Sequence, residues 1–256
     1  MHVLVAIDWH VIWLRIFHPD SAFARALWAT IYISVVAQAL GILFGLVAAL
    51  ARMSRFAPFR FLSGLYVLVF RGTPVLVQIF YLYFVFSWPT LNLGFQVPGE
   101  ALAGIAALSI NEGAYMREII RAGIDSIDRG QMEAAKSLGM RYGLAMRRIV
   151  LPQAARVIIP PLGNEFNNMM KTTSLVYTIG VYELFADAEQ GYSQTFLPDY
   201  FLAVAFWYLV LTSVWTFIQA GIERRLAVSE RGDELTLRER LLAAWNPMTA
   251  WGRSAR

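Results

Sequence analysis

Two stretches of the chain, residues 26–51 (ALWATIYISVVAQALGILFGLVAALA) and 200–222 (YFLAVAFWYLVLTSVWTFIQAGI), contain no charged side chain. Each exceeds the roughly 20 residues that cross a bilayer as a helix. Three further apolar stretches are interrupted. Residues 61–88 carry Arg71 inside FRGTPVLVQ. Residues 100–124 open as ALAGIAALSI and then meet Glu112, Arg117, Glu118 and Arg121. Residues 155–185 contain Pro160, Pro161, Glu165 and Lys171. The pattern predicts an all-α integral membrane protein with five transmembrane helices. It divides into a leader (1–25), one membrane domain (26–222) and a C-terminal tail (223–256), with no internal repeat, low-complexity segment or long linker.

Composition agrees: 57% of residues are hydrophobic and 16% charged, against about 25% charged in an ordinary soluble chain. The placement of the charges gives an orientation, because Lys and Arg near span ends stay cytoplasmic. Arg52, Arg55 and Arg60 lie between the first two spans, and eight basic residues lie from Arg117 to Arg156. Arg224, Arg225, Arg231, Arg238, Arg240, Arg253 and Arg256 follow the last span. Residues 88–99 have no base, and residues 181–199 have four acids and no base. The expectation is a periplasmic N-terminus and a cytoplasmic C-terminus, with Arg15 and Arg25 as the objection. The leader MHVLVAIDWHVIW lacks a basic n-region and contains Asp8, so it reads as an interfacial helix rather than a cleaved signal. The tail segment LTLRERLLAAW reads as an interfacial or docking helix, and Arg224 and Arg225 as anchors on the inner leaflet.

The chain has no cysteine, and its three histidines (His2, His10, His18) all lie in the leader. Thiol chemistry, disulfides and His-based metal or acid–base chemistry in the core therefore have no residues to use, and no metal or cofactor is implied. A Walker A loop needs Gly-Lys-Ser/Thr to cradle phosphates. The two lysines, Lys136 after Ala135 and Lys171 after Met170, form no such loop.

Charges inside spans cost roughly 2.5–3.5 kcal/mol each at mid-bilayer and normally face a partner or a wet cavity. Asn164, Glu165, Asn168, Lys171 and Thr172 fall at helical spacing and predict one polar stripe, with Phe166, Met169, Met170 and Thr173 on the other side. Glu112, Glu165, Arg71 and Lys171 supply both signs of charge, as a path for an α-amino acid requires; the alternative is pairing that only holds helices together. Arg71-Gly72-Thr73-Pro74 reads as a helix interruption, since Pro74 removes a backbone hydrogen bond and Gly72 eases bending. Such breaks often line transport sites, and a packing kink is the alternative. Gln78, one turn on, is expected to face the same cavity, as is Tyr115 on the third span.

Between the third and fourth spans stands QMEAAKSLGMRYGLAMRRIVLP. Asp128 is placed to cap a short helix from about residue 129 to 138, with Gly139 as its left-handed C′ residue. Ala134 and Ala135 leave the helix surface thin for another protein's backbone, with Glu133 and Lys136 at the rim. The plainer reading is an amphipathic helix resting on headgroups.

Glu133-Ala134-Ala135, Gly139, Ile149 and Leu151-Pro152 resemble, position by position, the EAA loop (about 129–152) of ABC importer permeases. Arg71-Gly72-Thr73-Pro74, the run NEGAYMREIIRAGIDSIDRGQ, and LPQAARVIIPPLGNEF with KTTSL resemble the polar amino-acid uptake family of histidine, glutamine, arginine and glutamate permeases. Arg117 departs from the family pattern, where a small residue is common. The resemblance spans about 26–222. It implies a type I importer permease fold, a substrate path along the polar span residues, and a coupling helix (Glu133, Ala134, Ala135, Gly139) docking into a separate cytoplasmic ATP-binding subunit. It also implies a periplasmic amino-acid-binding protein, a second permease subunit, identical or paralogous, surrounding lipid in a bacterial inner membrane, and no nucleic-acid partner. An ion-gradient-driven secondary amino-acid transporter would use the same charges but leaves the EAA spacing without purpose. An intramembrane enzyme lacks an acid–base cluster.

Overall fold

The computed structural model describes residues 7–227; the tail helix expected at LTLRERLLAAW, with Arg231, Arg238, Arg240, Arg253 and Arg256, lies outside the described residues. The chain opens with α1 (Trp9–Phe17), whose first amides, of His10 and Val11, donate to the Asp8 carboxylate at 3.0 and 3.3 Å. A second cap, Asp20, accepts from the Phe23 amide at 2.8 Å and starts α2 (Ser21–Met53). That bond holds the Asp20 carboxyl below its ordinary range, with the Arg15 guanidinium adding to the effect and desolvation opposing it.

Helix α2 packs along α5 (Gly99–Asp125) over its length. The seam is rich in small residues: Gly41 and Gly45 on α2 meet Glu112, Gly113 and Met116 on α5, and Ala37, Ala101 and Ala107 share one buried cluster. A Cβ placed on Gly45 would stand 2.3 Å from Met116 Cβ and 2.9 Å from the Arg117 amide nitrogen, so the backbones touch. Close approach through glycine and alanine is how helices associate where lipid removes the hydrophobic drive. The main core, including Ile33, Ile79, Leu108, Met169 and Val176, surrounds the end of this seam nearer α4.

Between them, α3 (Ala57–Gly72) and α4 (Val75–Val85) meet at a 105° bend across Thr73 and Pro74, where the sequence predicts an interruption. A two-stranded antiparallel ribbon, β1 (Leu91–Asn92) and β2 (Gln96–Val97), links α4 to α5. Beyond α5 come α6 (Arg129–Ser137), α7 (Tyr142–Ala145), a π-helical turn (Met146–Val150) and α8 (Leu151–Thr172). The chain then tightens into a 3₁₀ helix (Thr173–Ile179), closed by Gly180 at φ 92°. Residues 173–183, within the stretch assigned above to the fourth span, are therefore not α-helical. The acidic segment after them holds α9 (Leu184–Thr195), capped by Glu183. Helix α10 (Asp199–Ala227) follows.

Among the described residues, α2 and α10 are long and apolar enough to cross a membrane, and the bent α3–α4 pair makes a third candidate. Helices α5 and α8, of 27 and 22 residues, have spanning length but carry the charges noted above. Arg117, on α5, is 5% exposed. It pairs with Glu118 and donates to Ser63 Oγ at 3.2 Å, and Ser63 donates to the Ala48 carbonyl at 2.7 Å. This basic residue thus ties α5, α3 and α2 together. Glu183, wholly buried, does the same between α2, α9 and α10: it accepts from Tyr208 Oη at 2.7 Å and from Thr30 Oγ1 at 3.4 Å.

Candidate functional site

The break between α3 and α4 frees backbone carbonyls that a continuous helix would have used. Two side-chain amides take them up. Gln78 Nε2, on α4, donates to the carbonyls of Phe70 (3.0 Å) and Thr73 (3.1 Å) and to Thr73 Oγ1 (2.8 Å). Asn111 Nδ2, on α5, donates to the same Phe70 carbonyl at 2.8 Å and to Gln78 Oε1 at 3.0 Å. Thr73 Oγ1 also donates to the Val69 carbonyl at 2.8 Å. The bend is thereby a fixed structure with its hydrogen bonds made. Gln78, expected to line a cavity, instead spends its amide on the backbone and is 8% exposed.

Beside the bend lies a cavity of about 560 Å³, walled by residues 71–75, by Leu108, Asn111, Glu112 and Tyr115 of α5, and by Glu165, Asn168, Met169 and Thr172 of α8. The Arg71 guanidinium sits 4.9 Å from the centroid of the Tyr115 ring, a cation–π arrangement. Glu112 is 6% exposed, and its Oε1 is enclosed without a hydrogen-bond partner. Across the cavity, Asn168 Nδ2 donates to Glu165 Oε2 at 3.4 Å, and Thr172 Oγ1 donates to the Asn168 carbonyl at 2.8 Å. The walls thus present two carboxylates and one guanidinium to a space large enough for a small zwitterion. Among the described residues, no group of three or more His, Asp or Glu could hold a metal.

The structure divides the stripe predicted on α8. Glu165, Asn168 and Thr172 face the cavity. Asn164 turns to α10, accepting from Gln219 Nε2 at 3.3 Å, and Lys171 opens onto a different groove with Asn167. Met169, assigned above to the apolar side, is a cavity wall. Asn111 was missed as a site residue; its place one position before Glu112 was the available signal.

Helix α6 carries the other set of candidates. Its N-terminus is capped by Asp128, which accepts from the Gly130 amide at 2.8 Å. Its C-terminus closes as a Schellman motif: Met140 N donates to the Ala135 carbonyl, Gly139 N to the Lys136 carbonyl, and Gly139 lies at φ 79°. Both ends fall where the sequence predicts them. Glu133 and Ala134 are exposed, and Leu138 is 82% exposed. Ala135 is 1% exposed and cannot be the thin outer surface the sequence suggested, because α6 lies with that side against α7 and the π-helical turn.

The description "Binding-protein-dependent transport system inner membrane component" belongs to the family model that matches residues 41–228. The chain is a member of that family. The permease is 39% identical over 235 residues to the arginine transport system permease protein ArgU of Corynebacterium glutamicum, covering 88% of this chain and 73% of that one. It is 40% identical over 199 residues to the arginine transport system permease protein ArtQ of Bacillus subtilis, covering 77% and 89%. Among solved structures, an amino acid ABC transporter crystallised with histidines superposes with a TM-score of 0.70 at 38% identity, over 80% of this permease and 94% of that chain. These similarities support the importer reading over the ion-gradient alternative.

Proposed function

We propose that this permease carries polar amino acids across a bacterial inner membrane as the transmembrane subunit of an ATP-driven importer, with a separate cytoplasmic subunit hydrolysing the ATP. The observation that carries the substrate class is the cavity at the α3–α4 bend. An α-amino acid brings one ammonium and one carboxylate. The Glu112 and Glu165 side chains suit the first, and Arg71 suits the second. The similarity to arginine permeases and to an amino acid transporter crystallised with histidines supports the same class.

Five spans fit this reading: α2, the bent α3–α4 pair, α5, α8 and α10, with the N-terminus outside and Arg224 and Arg225 inside. Helix α6 is then a cytoplasmic coupling helix. Its partner-facing surface is Ala134 with Leu138 one turn on and Glu133 beside them, while Ala135 and Gly139 act by holding the helix in place. Ala134→Trp should abolish co-purification of the ATPase subunit while leaving membrane insertion near normal. Retained binding and transport would return α6 to a helix on headgroups. A periplasmic binding protein delivers substrate to the α9 side, and a second permease subunit completes the membrane part. The deciding experiment is reconstitution with the ATPase and binding protein, reading substrate-stimulated ATP hydrolysis over a panel of amino acids. No stimulation by any polar amino acid would overturn the substrate class.

A further inference from the structure

Arg15 and Arg25 are the two bases on the side of the chain where the charge pattern expects none. The structure accounts for Arg15: its guanidinium lies 3.0 Å from Asp20, 3.6 Å from Asp187 and 5.4 Å from the centroid of the Tyr200 ring. Arg25 is exposed and makes no ion pair among the described residues. It stands on an open cavity of about 400 Å³ whose walls include Trp28 and Tyr32 of α2, Phe95 in the ribbon turn, Glu100 at the start of α5, and Tyr182. Glu100 is half-buried and likewise makes no ion pair among the described residues. Opposite charges thus border one space without meeting, and that space suits a ligand carrying both.

Height and surroundings decide which ligand. Arg25 immediately precedes the uncharged run 26–51, and Glu100 immediately precedes ALAGIAALSI, so both charges stand where the hydrocarbon of the bilayer begins. Arg25, Trp28 and Tyr32 share one face of α2, with Tyr32 about 10 Å further along the helix than Arg25. The Tyr32 ring meets those of Phe95 and Trp28 at 5.7 and 6.3 Å between centroids. Tyr182 is held in place by donating its hydroxyl to Asp187 Oδ1 at 2.8 Å. Trp28 is 55% exposed, and the same face of α2 continues beyond the cavity as exposed Val35 and Val36. This is a charged mouth over an apolar slope, with tryptophan and tyrosine at the level they favour in membranes. A free amino acid would use the two charges and leave the slope bare.

We infer that this cavity holds the headgroup of a phosphatidylethanolamine. Its phosphate lies on the Arg25 guanidinium and its primary ammonium on the Glu100 carboxylate among the aromatic rings, and its acyl chains run along α2 past Val35 and Val36. The inference rests on reading α2 and α5 as membrane spans.

Lipid mass tests it directly. The full-length chain is purified in mild detergent, equilibrated with equal amounts of phosphatidylethanolamine, phosphatidylcholine and phosphatidylglycerol, and weighed by native mass spectrometry. The quaternary nitrogen of choline donates no hydrogen bond to Glu100, and glycerol carries no cation. The expected result is one retained phosphatidylethanolamine, severalfold more abundant than either competitor. Arg25→Gln should bring it down to their level, and Arg25→Lys should restore most of it. Glu100→Gln should keep a bound lipid but lose the preference for ethanolamine over choline. Arg55→Gln, an exposed base between α2 and α3, should change neither. Equal retention of the three lipids by the native chain would overturn the inference, as would the native preference persisting in both Arg25→Gln and Glu100→Gln. So would displacement of the lipid by free arginine or serine, which would make the cavity an amino-acid site. Uptake is not read, so a failed amino-acid assay and a failed lipid site remain distinguishable.

Discussion

The α2–α5 pair and the α8–α10 pair solve the same problem, holding two helices together in an apolar surround, by opposite means. The first is close-packed. Gly41, Gly45 and Gly113 remove side chains so that the helices nearly touch, and Glu112, whose Cβ and Cγ pack against Gly41, reaches from this seam to the cavity wall. The second is wet. Trp215 Nε1 donates to the Gly163 carbonyl at 2.8 Å, and Gln219 Nε2 donates to the Pro160 carbonyl at 3.1 Å. Pro160 and Pro161 lack amides, so carbonyls one turn before them lose their helical partners. A helix made this way is bonded to its neighbour through replaceable amides and leaves polar faces open on two sides. The contrast marks α2–α5 as the fixed body and α8 as the element on which contacts can change.

The sharpest way to break the contrast is Gly45→Val. A seam in backbone contact has no room for a branched side chain, and overpacking costs typically 1–3 kcal/mol or more. The variant should lose most of its monodisperse peak in detergent. A normal peak and melting temperature would mean that the seam is not rigid.

Glu165→Gln tests the wet pair through function. It keeps size and hydrogen bonding, so the fold and the binding protein's own affinity should be unchanged, while uptake in proteoliposomes falls at least tenfold. Unchanged uptake would assign Glu165 to structure. Gln219→Leu removes the amide that bonds the Pro160 carbonyl, Asn164 and Glu223 and should lower stability by about 1–2 kcal/mol, seen as a modest drop in melting temperature; a drop as large as that of Gly45→Val would erase the distinction.

The smallest effect expected is at the Asp20 cap. Its pKa is lowered on folding, so the stability it contributes is present above the ordinary carboxylate range and fades as pH falls through the lowered value. Protease access to α1 should rise at acid pH in the native chain, and Asp20→Ala, which removes both the cap on the Phe23 amide and the pair with Arg15, should already show that access at neutral pH with no acid step. An unchanged acid step in the variant would place the effect elsewhere.

Much of this was legible in the residues. The unbroken apolar runs marked α2 and α10, the Arg-Gly-Thr-Pro run marked the bend, and Asp128 and Gly139 marked both ends of α6, because caps and breaks are local chemistry. What escaped depends on neighbours. Helical spacing put Lys171 and Asn164 with Glu165, but it cannot say which side of α8 meets α5 and which meets α10. Nor could it show that Ala135 is covered, because α7 and the π-helical turn that cover it follow in the chain. Gln78 has the look of a ligand-binding amide until the unmet carbonyls of Phe70 and Thr73 are placed beside it.

The 105° bend has a bearing on the membrane itself. Helix α3, at 16 residues, reaches only about 24 Å, short of a hydrocarbon layer about 30 Å thick, and α4 turns away almost at right angles and adds little height. Under the five-span reading, the bilayer thins beside this segment or water enters over it. Acyl-chain length then becomes a control on the permease. Reconstituted in progressively longer phosphatidylcholines, it should lose transport first through strain at the bend, at thicknesses that still suit the 33-residue α2.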